Sequence, residues 1–432
     1  MIDLRVSLKK IGILFAALIL IVSLAQTAGP ALAAPATTVI FMVNTTADPG
    51  PATCAATCSL RAAIIAANAG GGTAIQFNLP LTATITLASS LPAVTGAVII
   101  AGPGSGNLTI DGAGRRVLTV NSTAHLTLSG VTIRGGNDLV QGGGILVDHG
   151  RLDLSDSLVA DNLSSGTGAA LYNDSGVVHI THSVFSGNHS FHDGAISNLG
   201  TLTVTTSLFE DNSSRVNGAI HNYTGASLSI DRSAFTGNDS TQTPGGAILS
   251  EGGATLVITN STFDNNGANG EGADLSVGGT VHITNSTLAN AKPVSLSSIS
   301  AGGSLTLRNT ILAAGGSVPN CTIGMGATLD VNAANLAADS ACGSATVVTP
   351  VQLNLGPLHY DLGPTPVISP LPGSLAIDSG DNTVCAAAAG SPSFGAGGLD
   401  QRGVARPQGM GCDVGAVESP VIYSLYLPIV SQ

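Results

Sequence analysis

The sequence has no tryptophan, 3% aromatic residues and only 9% charged residues, whereas charged residues make up roughly a quarter of an average soluble domain. Its 14 basic residues are outnumbered by 26 acidic ones and form no cluster outside the N-terminus, which argues against nucleic acid as a partner. The 56 glycines show no Gly-X-Y period, so a collagen triple helix is excluded. Abundant Val, Ile and Leu exclude a disordered chain. A folded, apolar and weakly charged protein remains.

The N-terminus has the pattern of a secretory signal peptide. Three basic residues precede an apolar run over residues 11–24, and Ala31-Leu32-Ala33 follows it. We predict cleavage after residue 34, because the run is shorter than the roughly 20 residues that span a bilayer; an uncleaved anchor is the alternative. No transmembrane span is expected after cleavage, and the protein is expected to be secreted or held at the cell surface.

Six cysteines lie beyond the predicted signal peptide. Their even number and their grouping favour disulfides in an oxidising compartment over a zinc site, because no pair of Cys-x-x-Cys motifs occurs. Pairing of sequence neighbours gives three local loops. These join Cys54 to Cys58, Cys321 to Cys342, and Cys385 to Cys412.

An internal repeat dominates the rest of the sequence. An apolar-x-apolar triplet, first seen as Leu126-Thr127-Leu128, recurs seven more times at intervals of 24 to 28 residues, the last copy being Leu305-Thr306-Leu307. Each triplet is followed by a second short apolar segment. A third begins with small residues and an aliphatic residue, as in Gly194-Ala195-Ile196. Three period-2 segments per repeat, broken by turn residues, predict an all-β solenoid of the parallel β-helix type.

Two columns of identical residues are expected in this solenoid. Phenylalanine recurs at one position of the second segment, and alternation predicts that its side chain points into the core. Asparagine closes each second segment at a turn, where stacked amides can extend the ladder. The phenylalanines are Phe185, Phe209, Phe235 and Phe263, and the asparagines are Asn162, Asn188, Asn212, Asn238 and Asn266.

The predicted organisation has four parts. Residues 1–34 form the signal peptide, and residues 35–350 form roughly a dozen coils with a helical N-terminal cap at about residues 50–70. The cap helix is expected within residues 54–67, with Leu60, Ile64 and Ile65 on one face. Residues 351–419 form an irregular C-terminal cap that contains a disulfide, and residues 420–432 form an apolar tail.

Both ends of the chain carry a family resemblance. Cys58-Ser59-Leu60-Arg61-Ala62-Ala63 resembles the Cys-Ser-Leu-Arg-Glu-Ala (CSLREA) segment that opens many exported bacterial β-helix proteins, with Ala62 in place of the acidic residue. Residues 372–418 resemble the choice-of-anchor Q region that closes such proteins. The repeats are similar to those of polymorphic outer membrane proteins and, distantly, to the pectate-lyase-like superfamily. The resemblance implies a right-handed β-helix at the cell surface or outside the cell, and no single activity.

Candidate catalytic residues are scattered over the predicted outer face. A lyase would need a base and a carboxylate cluster for calcium, and no triad or metal-ligand spacing is present. The mixture of acids, imidazoles and hydroxyls in one outward column is typical of a solvated face. The five histidines at positions 179, 182, 189, 192 and 221 are interpreted as solvated, with a metal site as the alternative, because no His-Glu-x-x-His motif is present. The weak catalytic candidates are Asp153, Asp156, Arg151, Asp211, Arg215, Asp231 and Arg232.

The C-terminal cap has a denser set of charged residues. Acids and arginines in a Gly/Pro-rich region favour structural ion pairs over an active site. No cofactor is expected, and calcium held by Asp378, Asp381 and Asp413 is the alternative. The predicted structural residues of the cap are Asp378, Asp400, Arg402, Arg406, Asp413 and Glu418.

Three functions are compatible with this sequence. The leading hypothesis is a non-catalytic protein that presents a repetitive face for adhesion or for binding an extracellular polysaccharide or cell-surface glycan. The second is a polysaccharide lyase or glycoside hydrolase, which the fold resemblance and the scattered Asp/Arg pairs support. The third is a structural spacer or surface-layer component.

Overall fold

The computed structural model describes residues 39–50, 53–70, 73–270, 272–291, 296–298, 303–313, 319–331, 334–390 and 394–420. Within these ranges, successive short strands fall into different sheets, and each strand pairs in parallel with the equivalent strand of the next repeat. The chain is therefore an all-β parallel solenoid, as predicted. The predicted signal peptide and most of the predicted tail lie outside the described residues.

Four sheets run along the described part of the solenoid. The strands of sheet 1 are Val39–Val43, Thr73–Phe77, Ala97–Ala101, His125–Ser129, Arg151–Ser155, Val177–Thr181, Thr201–Thr205, Ser227–Asp231, Thr255–Thr259, Thr280–Thr284, Ser304–Arg308 and Thr328–Val331. Those of sheet 2 are Ala83–Thr86, Leu108–Asp111, Thr132–Arg134, Leu158–Ala160, Val184–Ser186, Leu208–Glu210, Ala234–Thr236, Thr262–Asp264, Thr287–Ala289, Ile311–Ala313, Leu336–Ala337 and Thr346–Val347.

The other two sheets are shorter. The strands of sheet 3 are Leu118–Val120, Ile145–Asp148, Leu171–Asp174, Ile196–Asn198, Ile220–Asn222, Ile248–Ser250, Leu275–Val277, Leu296–Ser298 and Cys321–Ile323. Those of sheet 4 are Asn137–Asp138, Leu163–Ser164, His189–Ser190, Ser213–Ser214, Asp239–Ser240 and Gly267–Ala268. In the described chain, sheets 1 and 2 each have twelve strands but sheet 3 has nine. About nine turns therefore contain all three sheets, somewhat fewer than the predicted dozen coils.

One continuous hydrophobic core fills the solenoid from Val43 to Ala345. Alternation along each sheet 1 strand places the outer residues of the triplet inside. Leu126 and Leu128 are fully buried, whereas Thr127 between them is half-buried on the outer face. Parallel pairing without a register shift repeats this pattern from coil to coil, so the inward column of sheet 1 consists of Leu, Ile and Val from Val98 to Leu307.

The phenylalanine column is confirmed as core. The rings of Phe185, Phe209, Phe235 and Phe263 stack face to face, with neighbouring centroids 4.9, 4.7 and 4.8 Å apart and interplanar angles below 10°. None of these four side chains is exposed. The 4.8 Å strand spacing of the sheet thus sets the ring separation.

The asparagine ladder is also present. From Asn162 to Asn238, each Nδ2 donates to the Oδ1 of the equivalent asparagine in the next coil at 3.0 Å, so that Asn266 is the last acceptor. The same oxygens accept backbone N–H groups, as Asn188 Oδ1 accepts the N–H of Asn162. These side chains are fully buried, so the turns of the solenoid are held by amide chains as well as by the backbone.

The N-terminal helix α1 covers Leu60–Ala69. It begins after the Cys54–Cys58 disulfide and is capped by Ser59, whose hydroxyl accepts the N–H of Ala62. Leu60 and Ile64 are buried against the first coils, but Ile65 is 48% exposed. The expectation that Ile65 shares the buried face is therefore wrong, because the residue next to Ile64 lies about 100° around the helix.

The C-terminal segment contains helices Pro350–Leu353 and Asn382–Ala386, after a 3₁₀ turn at Ser340–Cys342. It folds back along the outer side of sheet 2. Thr262 Oγ1 donates to Gln401 Oε1 at 2.6 Å, and the N–H of Ala416 donates to Thr287 Oγ1 at 3.0 Å. The segment therefore covers the flank of several coils as well as the end of the solenoid.

Three disulfides are present, and they join the sequence neighbours. Cys321–Cys342 and Cys385–Cys412 staple the C-terminal region, as predicted. Among the described residues, no helix has both the length and the apolar character needed to cross a membrane.

Candidate functional site

Four charged side chains meet on the outer face of sheet 1, and we call them the Arg151 patch: His125, Arg151, Asp153 and His179. Parallel register brings them together from three neighbouring coils. Arg151 makes a two-pronged contact with Asp153, with N–O distances of 3.1 and 2.9 Å. The Asp153 carboxylate also lies 2.6 Å from His125 Nε2 and 3.0 Å from His179 Nδ1.

These contacts keep Asp153 ionised. Partial burial alone would raise the pKa of its carboxyl, but hydrogen bonds from Arg151 and His125 outweigh burial and hold the pKa below its usual value. A carboxylate in this state is a weak proton acceptor, and a general base works best with a pKa near the operating pH. The arrangement suits hydrogen bonding to a ligand better than proton abstraction.

A shallow depression of about 270 Å³ lies over the patch. Arg151, Asp153 and His179 line it together with hydroxyl-bearing neighbours, which are Thr127, Ser155 and Thr181. The side chains of Arg151 and His179 remain 44% and 39% exposed. Donors and acceptors for hydroxyl groups are therefore available in one open, solvent-facing hollow.

The other predicted catalytic residues do not join this site. Asp156 and Asp211 lie in left-handed turns, with φ of 49° and 51°. Arg215 lies over the ring of Phe191 at 4.3 Å. Asp231 pairs with the adjacent Arg232 at 2.8 Å, on later coils. The signal for these residues was that acids and arginines lie close together along the predicted outer face, and this does not fix which way the side chains point.

A second cluster, which the sequence analysis missed, lies on the outer side of sheet 3 and contains Asp193, His221, Tyr223 and Glu251. We call it the His221 cluster. The imidazole Nε2 of His221 lies 3.0 Å from Glu251 Oε1, and its Nδ1 lies 3.3 Å from Asp193 Oδ1. The Tyr223 ring stacks on His221 at 3.8 Å, and its hydroxyl donates to Asp193.

His221 is only 4% exposed, so interpreting it as a solvated histidine is wrong. Burial alone would lower its pKa, but the carboxylates of Asp193 and Glu251 outweigh burial and raise it. In return, the hydrogen bond with His221 is the main cause that lowers the pKa of Glu251 to about 2. This is a charged His–carboxylate network that links three coils.

The charged residues of the C-terminal region form internal pairs. Arg406 and Glu418 make a fully buried ion pair at 3.0 Å. Arg402 contacts Asp400 at 2.7 Å and also binds Asp361. These contacts fix the irregular loops to one another.

The three acids considered for calcium each accept backbone hydrogen bonds. Asp378 Oδ1 accepts the N–H of Gly411, and Asp381 caps helix Asn382–Ala386. Asp413 accepts the N–H groups of Asp378 and Ser419. Each of the three acids thus has a structural role in the cap, and calcium at these residues stays an untested prediction. Elsewhere in the described chain, Asp148, His149 and Asp174 bring three ligand atoms within 4.8 Å of one another.

Comparison with known proteins agrees with the geometry. Residues 116–312 match the model of a family described as "Right handed beta helix region". The chain is a right-handed parallel β-helix. None of the curated proteins matches it. The crystal structure of pectate lyase Pel9A is similar to this β-helix with a TM-score of 0.53 and 15% identity, over 88% of this chain and 96% of that chain. At that identity the likeness shows the fold alone.

Proposed function

We propose that this β-helix is an exported, cell-surface or secreted protein that binds polysaccharide on its outer face and does not cleave it. The observation that carries the proposal is the Arg151 patch. It presents hydrogen-bonding groups from neighbouring coils in an open hollow, and its acid is held ionised by Arg151 and His125. The polysaccharide's hydroxyl groups would bind there without a reacting base.

The sequence supports export and surface attachment. Residues 1–34 have the signal-peptide pattern, and the three disulfides suit an oxidising compartment. The CSLREA-like and choice-of-anchor Q-like segments are similar to those of exported bacterial β-helix proteins. Attachment to the cell surface would present the long side of the solenoid to extracellular glycans.

A polysaccharide lyase or glycoside hydrolase is the second candidate, because the similar solved structure is that of a pectate lyase. Against it, the carboxyls of Asp153, Asp193 and Glu251 all have lowered pKa values, and such groups are poor general acids and bases at neutral pH. A purely structural spacer is the third candidate.

The test is a screen of the purified protein on acidic and neutral polysaccharides with calcium present. Binding is recorded together with new reducing and unsaturated ends. We expect binding without products, and we expect Arg151→Ala to weaken it at least about tenfold, as loss of a charged hydrogen bond implies. Arg134→Ala is the matched control, because Arg134 is similarly exposed and paired with Asp111. Release of products would favour the enzyme, and absence of both binding and products would favour the spacer.

A further inference from the structure

Two aspartates from neighbouring coils lie side by side where two adjacent strands of sheet 3 end. Asp148 and Asp174 are the last residues of strands Ile145–Asp148 and Leu171–Asp174. The parallel register pairs them directly. Because neighbouring strands are about 4.8 Å apart, the two half-buried carboxyl groups lie next to each other at the surface.

A histidine completes the group. His149 follows Asp148 in the left-handed region, with φ of 57°. Its Nδ1 lies 2.7 Å from Asp148 Oδ1. One ligand atom from each of the three residues lies within 4.8 Å of the other two.

The charge of this group calls for a cation. Like charges opposite each other on neighbouring strands are destabilising, and the described ion pairs join Asp148 only to His149. A divalent ion between the three side chains would balance both carboxylates.

We propose that Asp148, His149 and Asp174 bind one divalent transition-metal ion of the Zn²⁺ class. Imidazole nitrogen suits zinc, copper and nickel, whereas calcium takes six to eight oxygen ligands. Tetrahedral ligands at roughly 2.0–2.2 Å from zinc lie about 3.3–3.6 Å from one another. The Asp174 carboxylate must therefore come closer, while His149 Nδ1 and Asp148 Oδ1, now 2.7 Å apart, must separate, and surface side chains can do both by rotation. Three protein ligands leave a further position open to solvent. This site is separate from the Arg151 patch and does not depend on polysaccharide binding.

The test is calorimetric titration of the purified full chain with Zn²⁺, after treatment with a chelator. We expect one ion per chain. His149→Asn removes the imidazole while asparagine still tolerates the left-handed turn, and Asp174→Asn removes one carboxylate. Each change is expected to weaken binding at least tenfold, roughly the smallest effect that loss of even an outer-shell partner has.

His182→Asn is the matched control, since His182 is also exposed and also left-handed, with φ of 46°. We expect this variant to bind Zn²⁺ as the unchanged protein does. With Co²⁺ as a second probe, the visible absorption of the bound ion should be lost in His149→Asn. Absence of binding, binding that both site variants retain, or equal affinity for Ca²⁺ would each overturn the proposal.

Discussion

At the residue scale, the local sequence pattern predicts the direction of an outward side chain on sheet 3 but does not predict its burial. Alternation correctly places His221 on the outer side, in register with Ser197 and Leu249. Its burial has two sources: Tyr223, two residues further along the chain, covers the ring, and Asp193 and Glu251 from the neighbouring coils flank it. The two acids lie 28 and 30 residues from His221 along the chain, so no local motif predicts that they meet it.

The His221 cluster predicts a pH-dependent stability. The pKa of Glu251 is lowered from 4.5 to about 2, so its stabilisation is complete above about pH 4.5 and is lost as the pH falls toward 2. The pKa of His221 is raised from 6.5, so its stabilisation is complete below pH 6.5 and is lost as the pH rises through the folded-state value. The cluster should stabilise the fold most between these limits.

His221→Gln should therefore reduce the free energy of unfolding by about 3 kcal/mol near pH 5.5, since it leaves two carboxylates without their buried partner. Denaturation at several pH values measures the difference from the unchanged protein, which should shrink toward both pH extremes. His189→Gln, at an exposed position of sheet 4, should have almost no effect. A difference that does not vary with pH would contradict the assignment of charge to this network.

At the element scale, ladders of identical side chains stabilise the coils. The phenylalanine and asparagine ladders follow from the repeat, because identical residues at identical positions stack when parallel strands pair without a shift. A second amide ladder was not predicted. Asn173 Nδ2 donates to Asn198 Oδ1 at 2.7 Å, and Asn198 Nδ2 donates to Asn222 Oδ1 at 2.8 Å. Its residues recur in only three coils, which is too short a run to stand out in the sequence.

Removal of one ring from the phenylalanine ladder should open a cavity. Phe235→Ala is expected to cost about 3–5 kcal/mol, because Phe235 stacks on a ring at each side and is fully buried. The measurement is chemical denaturation. Phe191→Ala is the matched control, since Phe191 is 46% exposed, and its loss should cost no more than about 1 kcal/mol. Equal losses in the free energy of unfolding at the two sites would contradict a stabilising role for the buried phenylalanine ladder.

At the scale of the whole molecule, the C-terminal segment packs along the side of the solenoid. It contacts sheet 2 through Thr262 and Thr287, and the buried pair of Arg406 and Glu418 holds its loops together. Arg406 also donates to the carbonyls of Asp413 and Gly415. The guanidinium of Arg406 thus holds Asp413, Gly415 and Glu418 together near the end of the described chain.

Arg406→Leu should loosen this segment while the solenoid stays folded. Removal of one partner from a buried ion pair costs about 3–5 kcal/mol, so we expect limited proteolysis to cut within residues 351–420 well before the coils are cut. Mass spectrometry of the fragments identifies the sites. Arg134→Leu removes an exposed partner of Asp111 and should leave the cleavage pattern unchanged. Simultaneous cleavage of coils and C-terminal segment would mean that the two unfold together.

The sequence by itself determined the solenoid, the inward ladders and the cysteine pairs. Each follows from residues that recur at a fixed spacing or lie close along the chain, as Leu126 and Leu152 do in register. The tertiary structure alone decided the rest. It placed Arg151 beside His179, buried His221, and laid the C-terminal segment along sheet 2. These outcomes depend on side chains that meet from different coils, and outward positions do not repeat because water, unlike a packed core, accepts almost any polar residue.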